Sequence, residues 1–155
     1  MTKPWLVLFE GQDESGKTTL MKEFNKYTDY KYTVVDRAFL STAVYNTKFR
    51  RDNDGIDYLV QLRDISKATN VLVVLCEASP DCIRNRYRCA DKKDYIADSE
   101  ESLMNEIKED AKLFEHYADL VSHSCKVVRI DTEGAKTYKQ CEFLETVIKG
   151  YEVTE

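Results

Sequence analysis

Apolar residues along this chain follow two rhythms. The unbroken runs Trp5-Leu6-Val7-Leu8-Phe9 and Val71-Leu72-Val73-Val74-Leu75-Cys76 offer no polar face, as expected of strands covered on both sides in a parallel sheet. Two more strands are expected at 32–36 and 126–131. Between these runs the apolar spacing becomes helical. Leu20, Met21 and Phe24 mark one face of a helix over 17–27, and Leu103, Ile107, Ala111, Phe114 and Ala118 form a stripe along 99–119. Helices are also expected near 41–49, 55–68, 80–89 and 136–149. Each segment between strands is long enough for a helical crossover. The expected fold is therefore α/β: a three-layer sandwich around a short parallel sheet of about four strands, with ligands at the carboxyl ends of the strands.

Composition narrows the setting. A chain of 155 residues with no linker, repeat or low-complexity tract is expected to form a single domain over 1–155. The net charge of −5 argues against a protein that coats nucleic acid, because such binding rests on neutralising phosphates. The five cysteines contain no C-x-x-C pair, which suggests reduced thiols rather than a disulfide framework or zinc site. His116 and His123 lack cysteine partners nearby and read as surface or capping residues. No signal-peptide pattern and no bilayer-length apolar run is visible, so a cytoplasmic protein without a membrane partner is expected. A homodimer is compatible with the composition.

The chemistry concentrates after the first strand. Gly11-Gln12-Asp13-Glu14-Ser15-Gly16-Lys17-Thr18 is a phosphate-binding loop in the required strand, loop, helix context. Gly11 and Gly16 permit backbone angles that let successive N–H groups converge on a phosphate, and the helix that follows adds its positive end. Lys17 would place a charge on the β and γ phosphates. Thr18 would join a Mg²⁺ shell, and Thr19 would bond a phosphate or cap the turn. The cofactors implied are ATP and Mg²⁺, cradled by Gly11, Asp13, Glu14, Ser15, Gly16 and the three residues after them.

The stretch from Phe9 to Thr19 resembles the start of thymidylate kinases, F-E-G-x-D-x-S-G-K-T-T, at every specified position. The resemblance implies a P-loop kinase in which Asp13 approaches the sugar of the acceptor. Val35 to Asn46 is similar to the family's D-R-Y-x-x-S-x-x-A-Y-Q segment and to small phage-type members of the superfamily. The thymidylate kinases place a much longer stretch between the two motifs. Here that stretch is missing, together with an arginine and part of the acceptor pocket, so thymidylate itself is not implied as the acceptor.

Physical reading of the second motif agrees with a kinase. A carboxylate ending the neighbouring strand, Asp36, can hold a Mg²⁺-bound water or take a proton from the attacking oxygen. Arg37 offers a forked donor set suited to phosphate, the alternative being a surface ion pair with no catalytic role. Phe39, Tyr45 and Phe49 could stack on an acceptor base, with Asn46 at its edge, or could simply pack the core. Arg50 and Arg51 would reach an acceptor phosphate or nucleic acid backbone, or form a solvated turn.

Ser79 to Arg88 resembles the lid helix of nucleoside monophosphate kinases, which implies that Arg86, and next Arg88, closes over the phosphates, the alternative being the exposed face of a charged helix. Glu14 stands where some thymidylate kinases carry a catalytic arginine, so Arg86, Arg88, Lys92 and Lys93 would supply that charge; Glu14 itself would face solvent, Mg²⁺ or an acceptor hydroxyl. Asp131-Thr132-Glu133-Gly134 falls where the family's base loop lies. The leading expectation is a deoxynucleoside monophosphate kinase. The rivals are a kinase of a nucleoside hydroxyl or of a modified base or end in DNA, and a nucleotide-binding module without turnover.

Overall fold

The computed structural model describes residues 3–49, 55–89, 99–134 and 136–154. Within these residues four strands, β1 (Trp5–Glu10), β2 (Thr33–Asp36), β3 (Asn70–Glu77) and β4 (Lys126–Asp131), form one parallel sheet in the order β2-β1-β3-β4. Among the described residues six helices connect or flank them: α1 (Lys17–Tyr27), α2 (Phe39–Phe49), α3 (Ile56–Ser66), α4 (Pro80–Cys89), α5 (Glu100–Val121) and α6 (Thr137–Thr154). The expected α/β architecture, with its short parallel sheet, is the one observed.

Period-two alternation in the strands divides the core. Val7, Phe9, Leu72 and Val74 point to one face, where Leu20 and Phe24 of α1 and Leu144 and Ile148 of α6 cover them. Leu8, Val71, Val73 and Leu75 point to the other face, against Leu40 and Val44 of α2, Leu62 of α3 and Phe114 of α5. Each fully buried side chain of this size contributes roughly 1.5–3 kcal/mol. A smaller cluster, Ile83, Leu103 and Ile107, holds α4 on α5. Lys48 reaches Glu106 at 2.9 Å and Asp110 at 3.0 Å, which ties the end of α2 to α5.

The element boundaries differ from expectation mainly in α6, which runs to Thr154 rather than ending near 149. The helix continues through Gly150, and Tyr151 packs edge-on against Trp5 with ring centroids 6.1 Å apart. That tertiary contact outweighs the glycine's cost of about 1 kcal/mol. All five cysteines are free thiols. Burial pushes the Cys76 thiol up to about 12, so it serves as a neutral packing residue. Among the described residues no helix is long and apolar enough to cross a membrane.

The strand order sets where a ligand can lie. The chain passes from β2 at one edge across β1 to β3, so the crossovers diverge between β1 and β3 and leave a crevice at the strands' carboxyl ends. The loops after β1, β2 and β4 all open there.

Candidate nucleotide-binding and phosphoryl-transfer site

The loop between β1 and α1 is shaped by contacts that exclude side chains. Gly11 has φ +145°, and a Cβ there would lie 2.6 Å from the Cys76 carbonyl oxygen. Gly16 has φ +88° and would place a Cβ 2.9 Å from Thr132 Oγ1. Glu14, although not glycine, is held at φ +62°. Backbone in these conformations turns successive N–H groups toward a common centre. Ser15 Oγ is buried with no hydrogen-bond partner among the described residues. The cradle and the orphaned hydroxyl both fit a phosphate. Gly16→Ala is expected to destabilise the chain by about 1 kcal/mol, measured by thermal unfolding.

Two motifs far apart in sequence meet at this loop. Thr18 Oγ1 donates to Asp36 Oδ2 at 3.0 Å. Lys17 is 5% exposed. Together with Asp13, Glu14, Thr19 and Arg37 they line a cavity of about 310 Å³. A hydroxyl and a carboxylate side by side form a hard-oxygen donor set that suits Mg²⁺.

Arg37 has φ +60°, a conformation held by its N–H donating 3.0 Å to Phe9 O on β1. Its guanidinium pairs with the Asp13 carboxylate and lies 5.6 Å from the centre of the Tyr45 ring. Beyond Arg37 a second cavity of about 480 Å³ opens, walled by Tyr45, Asn46, Phe49 and Tyr58. Tyr45 and Phe49 stack at 6.1 Å with an interplanar angle of 10°. Burial raises the Tyr45 pKa above its ordinary value, so the hydroxyl remains a donor at neutral pH.

Sequence reasoning missed the residue that joins these parts. Glu10, the last residue of β1, is fully buried. Its carboxylate accepts hydrogen bonds from the Ala38 amide, from the Ser41 amide at 2.5 Å and from Ser41 Oγ at 3.1 Å. It therefore caps the N-terminus of α2 from the neighbouring strand. Burial, the largest influence, raises its pKa against these hydrogen bonds. The available signal was a carboxylate closing an otherwise apolar strand.

The remaining expectations divide. Phe39, expected to offer a stacking face, packs against the core cluster around Leu40 and Val44 because the first turn of α2 faces the sheet. It does not line the cavity beside Tyr45. Arg88 pairs with Glu100 at 2.8 Å near the start of α5, and lines neither the cavity at Lys17 nor the one at Tyr45. Arg86 does reach the loop, but its fork ends on Glu14 O at 2.9 Å, on Thr132 Oγ1 at 3.1 Å and on Thr132 O at 3.2 Å. Arg50, Arg51, Lys92 and Lys93 lie outside the described residues. A third cavity of about 220 Å³ sits between Leu20, Arg86, Thr132 and Gln140.

No protein-family model matches the chain, and no curated protein does. Solved structures do. The YorR protein from Bacillus subtilis, in complex with phosphorylated GDP, superposes with a TM-score of 0.63 at 23% identity, over 93% of this chain and 95% of that one. Deoxyadenosine kinase from M. mycoides, with the products dCMP and dCDP bound, gives 0.62 at 12% identity, over 94% and 99%. Thymidylate kinase from Candida albicans gives 0.51 at 15% identity, over 99% and 94%. At these identities what is shared is the fold. The chain has the α/β fold of the P-loop nucleoside and nucleotide kinases.

Proposed function

We propose that this chain, acting as a single domain, is an ATP- and Mg²⁺-dependent phosphotransferase whose acceptor is a nucleoside or nucleotide. The observation that carries this reading is the shared cavity of Lys17, Thr18 and Asp36, which adjoins an aromatic-walled cavity through the Asp13–Arg37 pair. Loop amides and Lys17 would hold the β and γ phosphates, and Thr18 and Asp36 would hold the ion. The ion, when bound, supplies positive charge to the phosphoryl oxygens. Asp13 and Arg37 would set the acceptor in line, with Tyr45 beside its ring. Such catalysis is mainly positioning and electrostatics.

Two acceptor classes follow from the same residues. Arg37 suits the phosphate of a deoxynucleoside monophosphate. Its pairing with Asp13 supports a second reading, an uncharged acceptor hydroxyl on a nucleoside or within DNA, because a neutralised guanidinium attracts a phosphate less. The test is incubation with labelled ATP and, separately, each nucleoside, each deoxynucleoside monophosphate, and DNA. Label in a diphosphate supports the first class; label in a monophosphate or in polymer supports the second. No transfer to any of them by folded, nucleotide-binding protein would leave a binding module without turnover.

A further inference from the structure

A loop that turns its amides inward must turn carbonyls outward, and a carbonyl removed from water needs a donor. In this chain the carbonyls of two consecutive loop residues receive one from outside the loop. Glu14 O accepts from Arg86 Nη1 at 2.9 Å, and Ser15 O accepts from Thr132 Oγ1 at 2.6 Å. The two donors are also joined to each other, since Arg86 Nη1 lies 3.1 Å from Thr132 Oγ1 and Nη2 lies 3.2 Å from Thr132 O. Thr132 is fixed in turn by its N–H, which donates to Glu77 O at 2.9 Å.

We propose that Arg86 and Thr132 are positioning residues that hold the phosphate loop in its binding conformation through the carbonyls of Glu14 and Ser15, and that Arg86 does not reach the transferring phosphoryl group. The inference rests on reading the loop as a phosphate site. Glu14 is the non-glycine residue of the loop at positive φ, a conformation that persists only when its surroundings over-determine it. Arg86 binds the carbonyl of that same residue, and a Cβ at Gly16, two residues on, would lie 2.9 Å from Thr132 Oγ1. Both terminal nitrogens of the guanidinium are engaged, so swinging Arg86 over a γ-phosphate would break three hydrogen bonds and release the strained turn.

The two roles predict different binding. A residue that shapes the loop affects every ligand carrying a diphosphate, whereas a residue on the γ-phosphate affects transfer and leaves ADP binding alone. Calorimetric titration of the full chain with Mg²⁺·ADP and with Mg²⁺·pyrophosphate separates them. Arg86→Ala is expected to weaken both ligands about tenfold. Arg86→Lys is not expected to restore them, since one ammonium cannot span the three acceptors. Thr132→Val should weaken binding similarly, Thr132→Ser should bind as the wild type does, and Arg86→Ala/Thr132→Val should be far less than additive.

Unchanged ADP affinity in Arg86→Ala, with transfer lost and partly recovered in Arg86→Lys, would overturn the proposal. If Arg86→Ala does not fold by thermal melting, Thr132→Val decides: wild-type ADP affinity there overturns it as well. These titrations do not depend on turnover. A wild-type chain that transfers no phosphate but follows this pattern would sink the kinase reading and leave the positioning role standing.

Discussion

Replacing Asp36 by alanine is expected to lower phosphoryl transfer roughly 10²–10³-fold while ADP still binds, the scale seen when one preorganised electrostatic group is removed from a reaction centre. Asp36 ends β2, one strand from the loop, and its Oδ2 meets Thr18 Oγ1 at 3.0 Å on the rim of the cavity that Lys17 also lines. Loop amides and Lys17, which would carry most of the affinity for a diphosphate, do not depend on that carboxylate. Asp36→Asn keeps the shape and removes the charge, so it should fall nearly as far as Asp36→Ala. A decline in nucleotide affinity parallel to the decline in rate would instead mark Asp36 as a structural partner of Thr18. Single-turnover rates beside calorimetric affinities make the distinction.

Glu10→Ala should have the largest effect on the scaffold. Its carboxylate answers two backbone amides and a hydroxyl in the buried corner where β1, the turn after Asp36 and the first turn of α2 meet. Removing it leaves those donors without a partner but also relieves a buried charge, for a net loss of about 2 kcal/mol. For a chain of this length that corresponds to a fall in Tm of about 4–8 °C. Because Arg37 and Tyr45 hang on the same corner, the KM for the acceptor should rise more than the KM for ATP.

The same residue gives a pH signature. Burial raises the Glu10 pKa above its ordinary 4.5, so between those values the folded chain binds the proton more tightly than the unfolded chain does. This group's added stability is full below about 4.5 and is lost as pH rises through the folded value. Glu10→Gln cannot titrate, and urea denaturation across that window should show the wild-type slope reduced by this one proton. Identical slopes in the two proteins would mean that Glu10 keeps its ordinary pKa.

Much of the molecule was legible because its information is local. The apolar runs at 5–9 and 71–76 and the helical stripes along 17–27 and 99–119 are properties of neighbouring residues, and they determine the β/α alternation from which a parallel sheet follows. The candidate phosphate loop at Gly11–Thr18 could be singled out for the same reason, since cradling a phosphate needs glycines, a lysine and a helix start at fixed spacing. Asp36 and Arg37 could be singled out from where they fall at a strand's end, although nothing local tells that Asp36 meets Thr18 or that Arg37 meets Asp13.

Only the tertiary structure decided the second set of facts, and all of them concern which distant groups meet. An arginine at the end of a charged helix looks the same in sequence whether it closes on a phosphate, pairs with Glu100 as Arg88 does, or bridges to Glu14 and Thr132 as Arg86 does. Phe39 and Tyr45 share one helix, yet the helix's rotation against the sheet sends the first toward the core and the second to a cavity wall. Glu10 was unreadable as a cap because the helix it caps begins on another strand's crossover. Chain composition and spacing determined an α/β scaffold and singled out a candidate phosphate loop; side-chain partners across the crevice, chosen by packing, decided how that loop is held.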